Sequence, residues 1–172
     1  DVSRQASVAN GLAAAVELAP QADVVLIHDA ARCLTPPAAI ARVIDAVRAG
    51  NPAVIPALPV TDTIKSVGSA RPQGEIVAAP AAGATAAPVN APLSAPTQVE
   101  PVLETVDRRR LRAVQTPQGF ERETILRSHQ LGAQAAASES SAASDDAGLA
   151  EQAGYPVVVV PGDALSFKVT TP

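Results

Sequence analysis

Seven polar residues of the sequence have side chains suited to phosphate chemistry, and most of them follow short segments with a strand-like pattern. They are Asp29, Arg32, Asp62, Thr63, Arg108, Thr116 and Lys168. Guanidinium and ammonium groups bind phosphate oxygens, hydroxyl groups orient them, and a carboxylate holds a magnesium ion or a ribose. This combination is typical of phosphoryl or nucleotidyl transfer, which depends mainly on positioning and charge stabilisation. The residue types leave the ligand itself open.

Other chemistries find little support in the sequence. The sequence shows no cluster of metal ligands. It contains one cysteine and two histidines, and the histidines, His28 and His129, are 101 positions apart. Neither a G-x-S-x-G elbow nor a glycine-rich phosphate loop occurs. We interpret His28 as a structural hydrogen-bonding residue at a strand end and His129 as a surface residue of a helix.

The stretch VVLIHDAAR at residues 24–32 organises the candidate site. Its four apolar residues are typical of a strand buried on both faces. A polar cluster follows where that strand ends, and ligands of open α/β sheets bind outside the carboxyl ends of the strands. We therefore expect Asp29 and Arg32 to line a site.

The remaining pattern predicts alternating helices and strands. Helices are predicted over residues 3–19, 36–49 with Thr35 as the cap, 121–132, and 144–152 with the Ser-Asp-Asp group at 144–146 as the cap. Strands are predicted over 23–28, 53–58, 60–67, 102–107, 113–120 and 156–160, with a last one beginning at 167. Because Pro56 and Pro59 interrupt the second strand, we expect it to stop early or to lie near an edge. The pattern predicts a three-layer α/β fold with a mainly parallel sheet and an inserted antiparallel ribbon.

The inserted ribbon is predicted to form an arm over about residues 60–108. Its two strand-like segments flank residues 68–101, which are rich in Ala, Pro, Gly, Ser and Thr and which we interpret as a flexible tip. A two-stranded ribbon is marginal in water. We therefore expect it to pack on a second copy of the chain.

Composition limits the class of protein. The 172 residues suit one domain, and a net charge of −4 argues against nucleic-acid binding. The single cysteine, Cys33, permits no internal disulfide, which favours a cytoplasmic location, and no apolar run is long enough for a membrane span. Since the chain begins at Asp1 with a helix pattern and no preceding strand, we interpret residues 1–172 as one domain that lacks an amino-terminal βα segment.

Several short motifs occur in the order found in one family, and together they cover nearly the whole chain outside residues 68–101. They are RQASV at 4–8, HDAAR at 28–32, DTIK at 62–65, TVDR at 105–108, QTPQ at 115–118, DDA at 145–147 and FKVT at 167–170. In these motifs the sequence resembles the 2-C-methyl-D-erythritol 4-phosphate cytidylyltransferases.

The resemblance implies a Rossmann-like nucleotidyltransferase fold and an activity. A member of this family joins CTP to methylerythritol phosphate with Mg²⁺ and releases pyrophosphate. By motif matching, the nucleotide would be bound by Ser7, Asp29 and Ala30. Asp29 would also bind the metal, and Lys168 would stabilise charge at the transferred phosphate. Arg32, Thr63 and Thr116 would face methylerythritol phosphate, and Arg108 would complete the site of the other subunit of a homodimer.

The chain departs from the family pattern in four ways. The family pattern opens with a glycine-rich loop that carries an arginine and a lysine, and this loop is absent. DVS stands where a Gly-Gly pair is usual, Cys33 stands where proline is frequent, and the insertion between the ribbon strands is longer than expected. Two alternatives therefore stay open at this point. One is another sugar-phosphate nucleotidyltransferase, and the other is a catalytically silent dimerisation module.

Overall fold

The computed structural model describes residues 4–72, 98–136, 143 and 145–170. The helices are α1 (Arg4–Leu18), α2 (Pro37–Arg48), α3 (Arg122–Ala136) and α4 (Asp146–Gln152). The strands are β1 (Val24–Ile27), β2 (Ala53–Pro59), β3 (Lys65–Val67), β4 (Arg71–Pro72), β5 (Gln98–Val99), β6 (Val102–Thr105), β7 (Arg112–Val114), β8 (Gln118–Glu121) and β9 (Val157–Pro161).

The chain divides into two compact units. The first, which we call the sheet unit, consists of Asp1–Pro59 and Arg112–Pro172. The second, which we call the arm unit, consists of Val60–Leu111. In the arm unit, β3 pairs with β6 and β4 pairs with β5, both antiparallel, so the predicted ribbon pairing is confirmed. Most of the predicted tip, residues 73–97, lies outside the described residues.

The sheet unit has the predicted α/β class, but the strand directions differ from the prediction. The β1–β8, β2–β8 and β2–β7 pairings are antiparallel, whereas β2–β9 is parallel. The expectation of a mainly parallel sheet was therefore wrong. The reason is that β7 and β8 follow β2 through the arm unit and not through a crossover helix, so they return beside it in the opposite direction.

Strand β2 is central in spite of its prolines. Ala57 pairs with Val114 of β7 on one side and with Pro161 of β9 on the other, so the predicted edge position was wrong. Pro56 is tolerated because it lies opposite the break between β7 and β8. Its carbonyl oxygen accepts a hydrogen bond from the Gln115 N–H at that break, and the missing proline N–H faces the same side of the strand, where no ladder partner is needed.

Alternate residues of the strands face two apolar layers, one on each side of the sheet. On one side, α2 packs its Val43 and Val47 on Val54 of β2. On the other side, Leu12 of α1 and Ile125 of α3 belong to a second cluster. On β1, Val25 and Ile27 pack on one cluster and Val24 and Leu26 on the other, but all four residues are only partly buried. Strand β1 thus contacts both layers, as its apolar run predicts, without the full burial that was expected.

Two local predictions near the site were wrong. Thr35 does not cap α2, because its hydroxyl donates to the Arg32 carbonyl while Pro36 occupies the N-cap position without a side-chain bond. The segment from Phe167 to Thr170 is extended but forms no strand in the described structure, since a 3₁₀ turn at Ala164–Ser166 leads into it. By contrast, the predicted capping group of α4 is confirmed in Asp145, which accepts from the Gly148 N–H.

Candidate active site

The loop that follows β1 brings a carboxylate between two cations. Arg32 N–H donates to the Asp29 carbonyl and closes a turn, and Val169 N–H donates to Ala31 at 2.8 Å, which draws the carboxyl-terminal segment to the same loop. As a result, Asp29 Oδ2 lies 3.5 Å from Lys168 Nζ and 3.6 Å from Arg32 Nε. The three charges come from positions up to 139 residues apart in the chain.

The Arg32 guanidinium group is fixed mainly by backbone carbonyl oxygens. Its Nη1 donates to Ser166 O at 2.7 Å and its Nη2 to Val114 O at 3.5 Å. The remaining nitrogen, Nε, is buried and has no hydrogen-bond partner in the described part of the chain. A buried donor without an acceptor is costly, and the nearest opposite charge to this atom is the Asp29 carboxylate, at 3.6 Å.

Thr116 joins the Asp29 loop from the strand break between β7 and β8. Its Oγ1 accepts from the Asp29 N–H at 3.0 Å and lies 3.0 Å from His28 Nδ1. The side chain is buried, and the peptide bond to Pro117 is cis. His28 therefore forms a hydrogen bond at the end of β1, as predicted.

Two glutamines fix the segment that carries Thr116, and sequence reasoning gave them no role. Gln115 donates to the Asp163 carbonyl and accepts from the Asp163 N–H, at 2.8 and 2.9 Å. Gln118 donates to Asp145 Oδ2 at 2.7 Å and accepts from the Ala147 N–H at 3.0 Å. The sequence signal for this supporting role was the motif QTPQ, in which one glutamine lies on each side of the Thr-Pro pair.

Gly162 permits the close approach of Gln115. Its N–H donates to the Ala57 carbonyl at 2.9 Å. A Cβ atom at this position would meet the Gln115 side-chain oxygen and would lie 3.0 Å from the Ala57 carbonyl carbon. The glycine is therefore required by space, since every larger residue would displace this backbone or the glutamine.

The remaining predicted residues lie elsewhere. Ala30 is exposed in the turn after β1, and Ser7 is exposed on α1. Asp62, Thr63 and Arg108 belong to the arm unit.

Within the arm unit, the arginine run has distinct partners. Arg108 donates to the Thr61 carbonyl, and Arg109 forms a two-pronged contact with the Asp107 carboxylate, with 2.7 Å between Nη2 and Oδ2. Hydrogen bonds from Arg109 hold the pKa of Asp107 below its usual value, and Asp107 in turn raises the pKa of Arg109. Lys65 donates to Thr105 Oγ1 across the ribbon.

His129 is not a surface residue, so that interpretation was wrong. Its ring lies 3.0 Å from Asp146 Oδ1, with 11% of the His129 side chain and none of the Asp146 side chain exposed. Because α4 packs on α3, the face that carries His129 is covered. The helical pattern alone gave no sign of this partner.

The predicted magnesium ligand fits one mode of metal binding. No group of three or more His, Cys, Asp or Glu side chains suited to a metal occurs among the described residues. Mg²⁺ is commonly held by one or two carboxylates together with substrate phosphates. The partly exposed Asp29 carboxylate suits that mode, with the phosphates supplying further oxygen ligands.

The arrangement is suited to a negatively charged ligand. The Lys168 side chain is about half exposed, the Arg32 guanidinium group lies beside the same carboxylate, and Thr116 places a hydroxyl group in the same loop region. These are the groups that bind phosphate oxygens. Among the described helices, none is long and apolar enough to cross a membrane.

Comparison with known proteins gives a single family. The family model for 2-C-methyl-D-erythritol 4-phosphate cytidylyltransferase matches residues 2–81 and 73–172. The cytidylyltransferase of that name from Streptomyces avermitilis is 45% identical over 170 residues, and that from Streptomyces coelicolor 44%. Both alignments cover 99% of this chain but 55% and 51% of the relative. The chain thus spans about half the length of the curated relatives it matches.

Two solved structures share the fold. The 2-C-methyl-D-erythritol 4-phosphate cytidylyltransferase from Thermus thermophilus matches with a TM-score of 0.69 and 33% identity, over 100% of this chain and 65% of that one. The 4-diphosphocytidyl-2C-methyl-D-erythritol synthase from Anaerococcus prevotii matches with a TM-score of 0.69 and 27% identity, over 99% and 62%. The expected Rossmann-like cytidylyltransferase fold is confirmed.

Proposed function

This chain belongs to the 2-C-methyl-D-erythritol 4-phosphate cytidylyltransferase family, and we propose that the protein transfers CMP from CTP to 2-C-methyl-D-erythritol 4-phosphate. A phosphate oxygen of methylerythritol phosphate attacks the α-phosphorus of CTP, the bond to the β-phosphate breaks, and pyrophosphate leaves. The reaction contributes to isoprenoid precursor synthesis and takes place in the cytoplasm. The observation that carries the proposal is the meeting of Asp29, Arg32, Thr116 and Lys168 in one place.

Each of these residues has a role that follows from its surroundings. Lys168 has a half-exposed side chain next to Asp29 and stabilises the negative charge that develops on the transferred phosphate. The Arg32 guanidinium group and the Thr116 hydroxyl bind the phosphate of methylerythritol phosphate. Ser7 and Ala30 contact the nucleotide.

Asp29 both orients Lys168 and holds the metal ion. Its Oδ2 lies beside Lys168 and Arg32, which fixes the carboxylate at the mouth of the site. Bound there with the triphosphate, Mg²⁺ supplies neutralisation of phosphate charge.

The proposal is tested by pyrophosphate release. The protein is incubated with CTP, methylerythritol phosphate and Mg²⁺, and pyrophosphate is measured by a coupled assay. We expect release that requires all three and that falls when Asp29→Asn is used. Turnover with another sugar phosphate but not with methylerythritol phosphate would favour the alternative nucleotidyltransferase, and no turnover with any would favour the silent module.

We also propose that the arm unit pairs two copies of the chain. Three of its apolar side chains, Val67, Val102 and Leu103, are 44%, 58% and 66% exposed. In the β3–β6 region the arm unit is a two-stranded ribbon, and such a ribbon needs a further packing surface to be stable in water. Leu103→Asp is expected to shift the protein from dimer to monomer in analytical ultracentrifugation, whereas Leu165→Asp, at a similarly exposed site in the sheet unit, is the control.

The homodimer would share its sites, with Arg108 of one copy completing the methylerythritol phosphate site of the other. Mixing Arg108→Ala and Lys168→Ala subunits is then expected to restore part of the activity that each variant lacks, because some hybrid sites contain both side chains. The measurement is pyrophosphate release from verified heterodimers. Heterodimers as inactive as either parent would rule out a shared site.

A further inference from the structure

The hydrogen-bonding capacity of the Thr116 hydroxyl decides what it can offer to a ligand. Its oxygen accepts from the Asp29 N–H at 3.0 Å and lies 3.0 Å from His28 Nδ1. A hydroxyl group has one proton to donate and two lone pairs. Since a backbone N–H only donates, Asp29 uses one lone pair in every state of the site. The proton and the second lone pair are left for His28 and for a ligand.

The two tautomers of neutral His28 use these remaining positions differently. With the ring proton on Nε2, the bare Nδ1 accepts the Thr116 proton, and the hydroxyl has nothing to donate to a ligand. With the ring proton on Nδ1, His28 donates to the second lone pair and the Thr116 proton is released. Thr116 is 6% exposed, and a buried hydroxyl proton needs an acceptor. The first tautomer therefore suits the site without ligand.

We infer that His28 is a positioning residue, and that its Nδ1–H tautomer directs the Thr116 proton to the phosphate of methylerythritol phosphate. This inference rests on the proposed function, in which Thr116 binds that phosphate. The oxygens of a phosphate dianion only accept hydrogen bonds, so Thr116 must donate its proton to them. His28 Nδ1 must then be a hydrogen-bond donor, because the second lone pair of the Thr116 oxygen is the only part of that hydroxyl group still available to it.

Binding of methylerythritol phosphate thus moves the His28 proton from Nε2 to Nδ1 without a change of net charge. The residue is exposed, so water can take the proton from one nitrogen and deliver it to the other. A merely structural histidine would keep one tautomer in both states. The tautomer is therefore the property to measure.

Nitrogen NMR of the imidazole rings gives this measurement directly. The sequence contains two histidines, so histidine-selective ¹⁵N labelling gives two rings, and His28→Asn assigns them. At about pH 8, above the ordinary pKa of imidazole, we expect His28 Nδ1 to change from a pyridine-type to a pyrrole-type shift as methylerythritol phosphate is added. His129 serves as the internal control, and Thr116→Val is expected to abolish the change.

The outcomes separate this inference from the proposed function. Saturable binding by calorimetry with His28 Nδ1 unchanged would overturn the inference and leave the proposed function intact. Absence of binding would overturn the proposed function and the inference with it.

Steady-state kinetics give a second readout. His28→Asn keeps an N–H donor near the position of Nδ1, whereas His28→Leu keeps none. We expect His28→Leu to raise KM for methylerythritol phosphate about tenfold, the effect of one net hydrogen bond, with KM for CTP unchanged. His28→Asn is expected to restore most of this loss. Equal effects of both variants on both substrates would indicate a structural role and overturn the inference.

Discussion

Arg32 of the sheet unit and Arg109 of the arm unit are held in opposite ways. Arg32 is 14% exposed, and its partners Ser166 and Val114 are 134 and 82 residues away in sequence. Arg109 is 86% exposed, and its carboxylate partner is two residues away. The first arrangement exists only when the whole sheet unit is folded, whereas the second needs one local turn. Loss of the contacts that hold Arg32 should therefore disturb the fold more than loss of the contact between Arg109 and Asp107.

The largest expected contrast is between two lysines. Lys168→Ala should lower kcat about 10²–10³-fold, the usual effect of removing one group that stabilises transition-state charge. Lys65→Ala in the arm unit, which loses a contact to Thr105, should change kcat far less. Both variants should melt near the parent temperature because both side chains are exposed. Equal losses of kcat would break the contrast.

A glycine pair gives the next largest effect, this time on stability. A Cβ atom at Gly119 would collide with Val43 and lie 3.1 Å from Val47, so Gly119→Val should cost about 3 kcal/mol by overpacking. Gly11→Ala meets open space on a helix and should stabilise by about 0.5–1 kcal/mol. Urea denaturation measures both. A stable Gly119→Val variant would show that α2 can move away from β8.

Loss of one buried glutamine should have a somewhat smaller effect. Gln118→Ala removes a hydrogen-bond partner from both Asp145 and the Ala147 N–H, which should cost about 2 kcal/mol in unfolding free energy. Gln130→Ala, which removes one exposed contact with Arg127, is the control and should stay within about 0.5 kcal/mol. The two are compared by their denaturation midpoints.

The smallest effect is expected at the exposed pair in the arm unit. Because Arg109 lowers the pKa of Asp107 in the folded protein, the pair stabilises the fold above the unfolded pKa of that carboxyl and loses this effect as pH falls through the folded pKa. Asp107→Asn should therefore lower the melting temperature slightly at neutral pH and not at all in strong acid. A large decrease at neutral pH would show that the arm unit depends on this pair.

The sequence predicted elements better than it predicted partners. The helix predicted over 36–49 and the capping carboxylate of α4 depend on local signals, and both are confirmed. The central position of β2 was not predicted, because it depends on a strand break 59 residues beyond Pro56. The burial of His129 was missed for the same reason, since its partner Asp146 lies on another helix.

The candidate site shows a similar limit. Resemblance to the family identified Asp29, Arg32, Thr116 and Lys168, and the structure brings them together. It did not identify the carbonyl oxygens of Ser166 and Val114 that fix Arg32. Every residue has a backbone carbonyl group, so the residue types in a sequence do not indicate which carbonyl oxygens will accept hydrogen bonds from Arg32.

Gly162 has a consequence for how functional screens of this protein should be interpreted. It contacts no proposed substrate, yet any larger residue there would displace Gln115 or Ala57, and Gln115 lies next to Thr116. A library selected for activity will therefore be depleted at position 162 as strongly as at a reacting residue. Intolerance to substitution will mark the support of the active site together with the site itself, and only assays that score folding and turnover separately will tell the two apart.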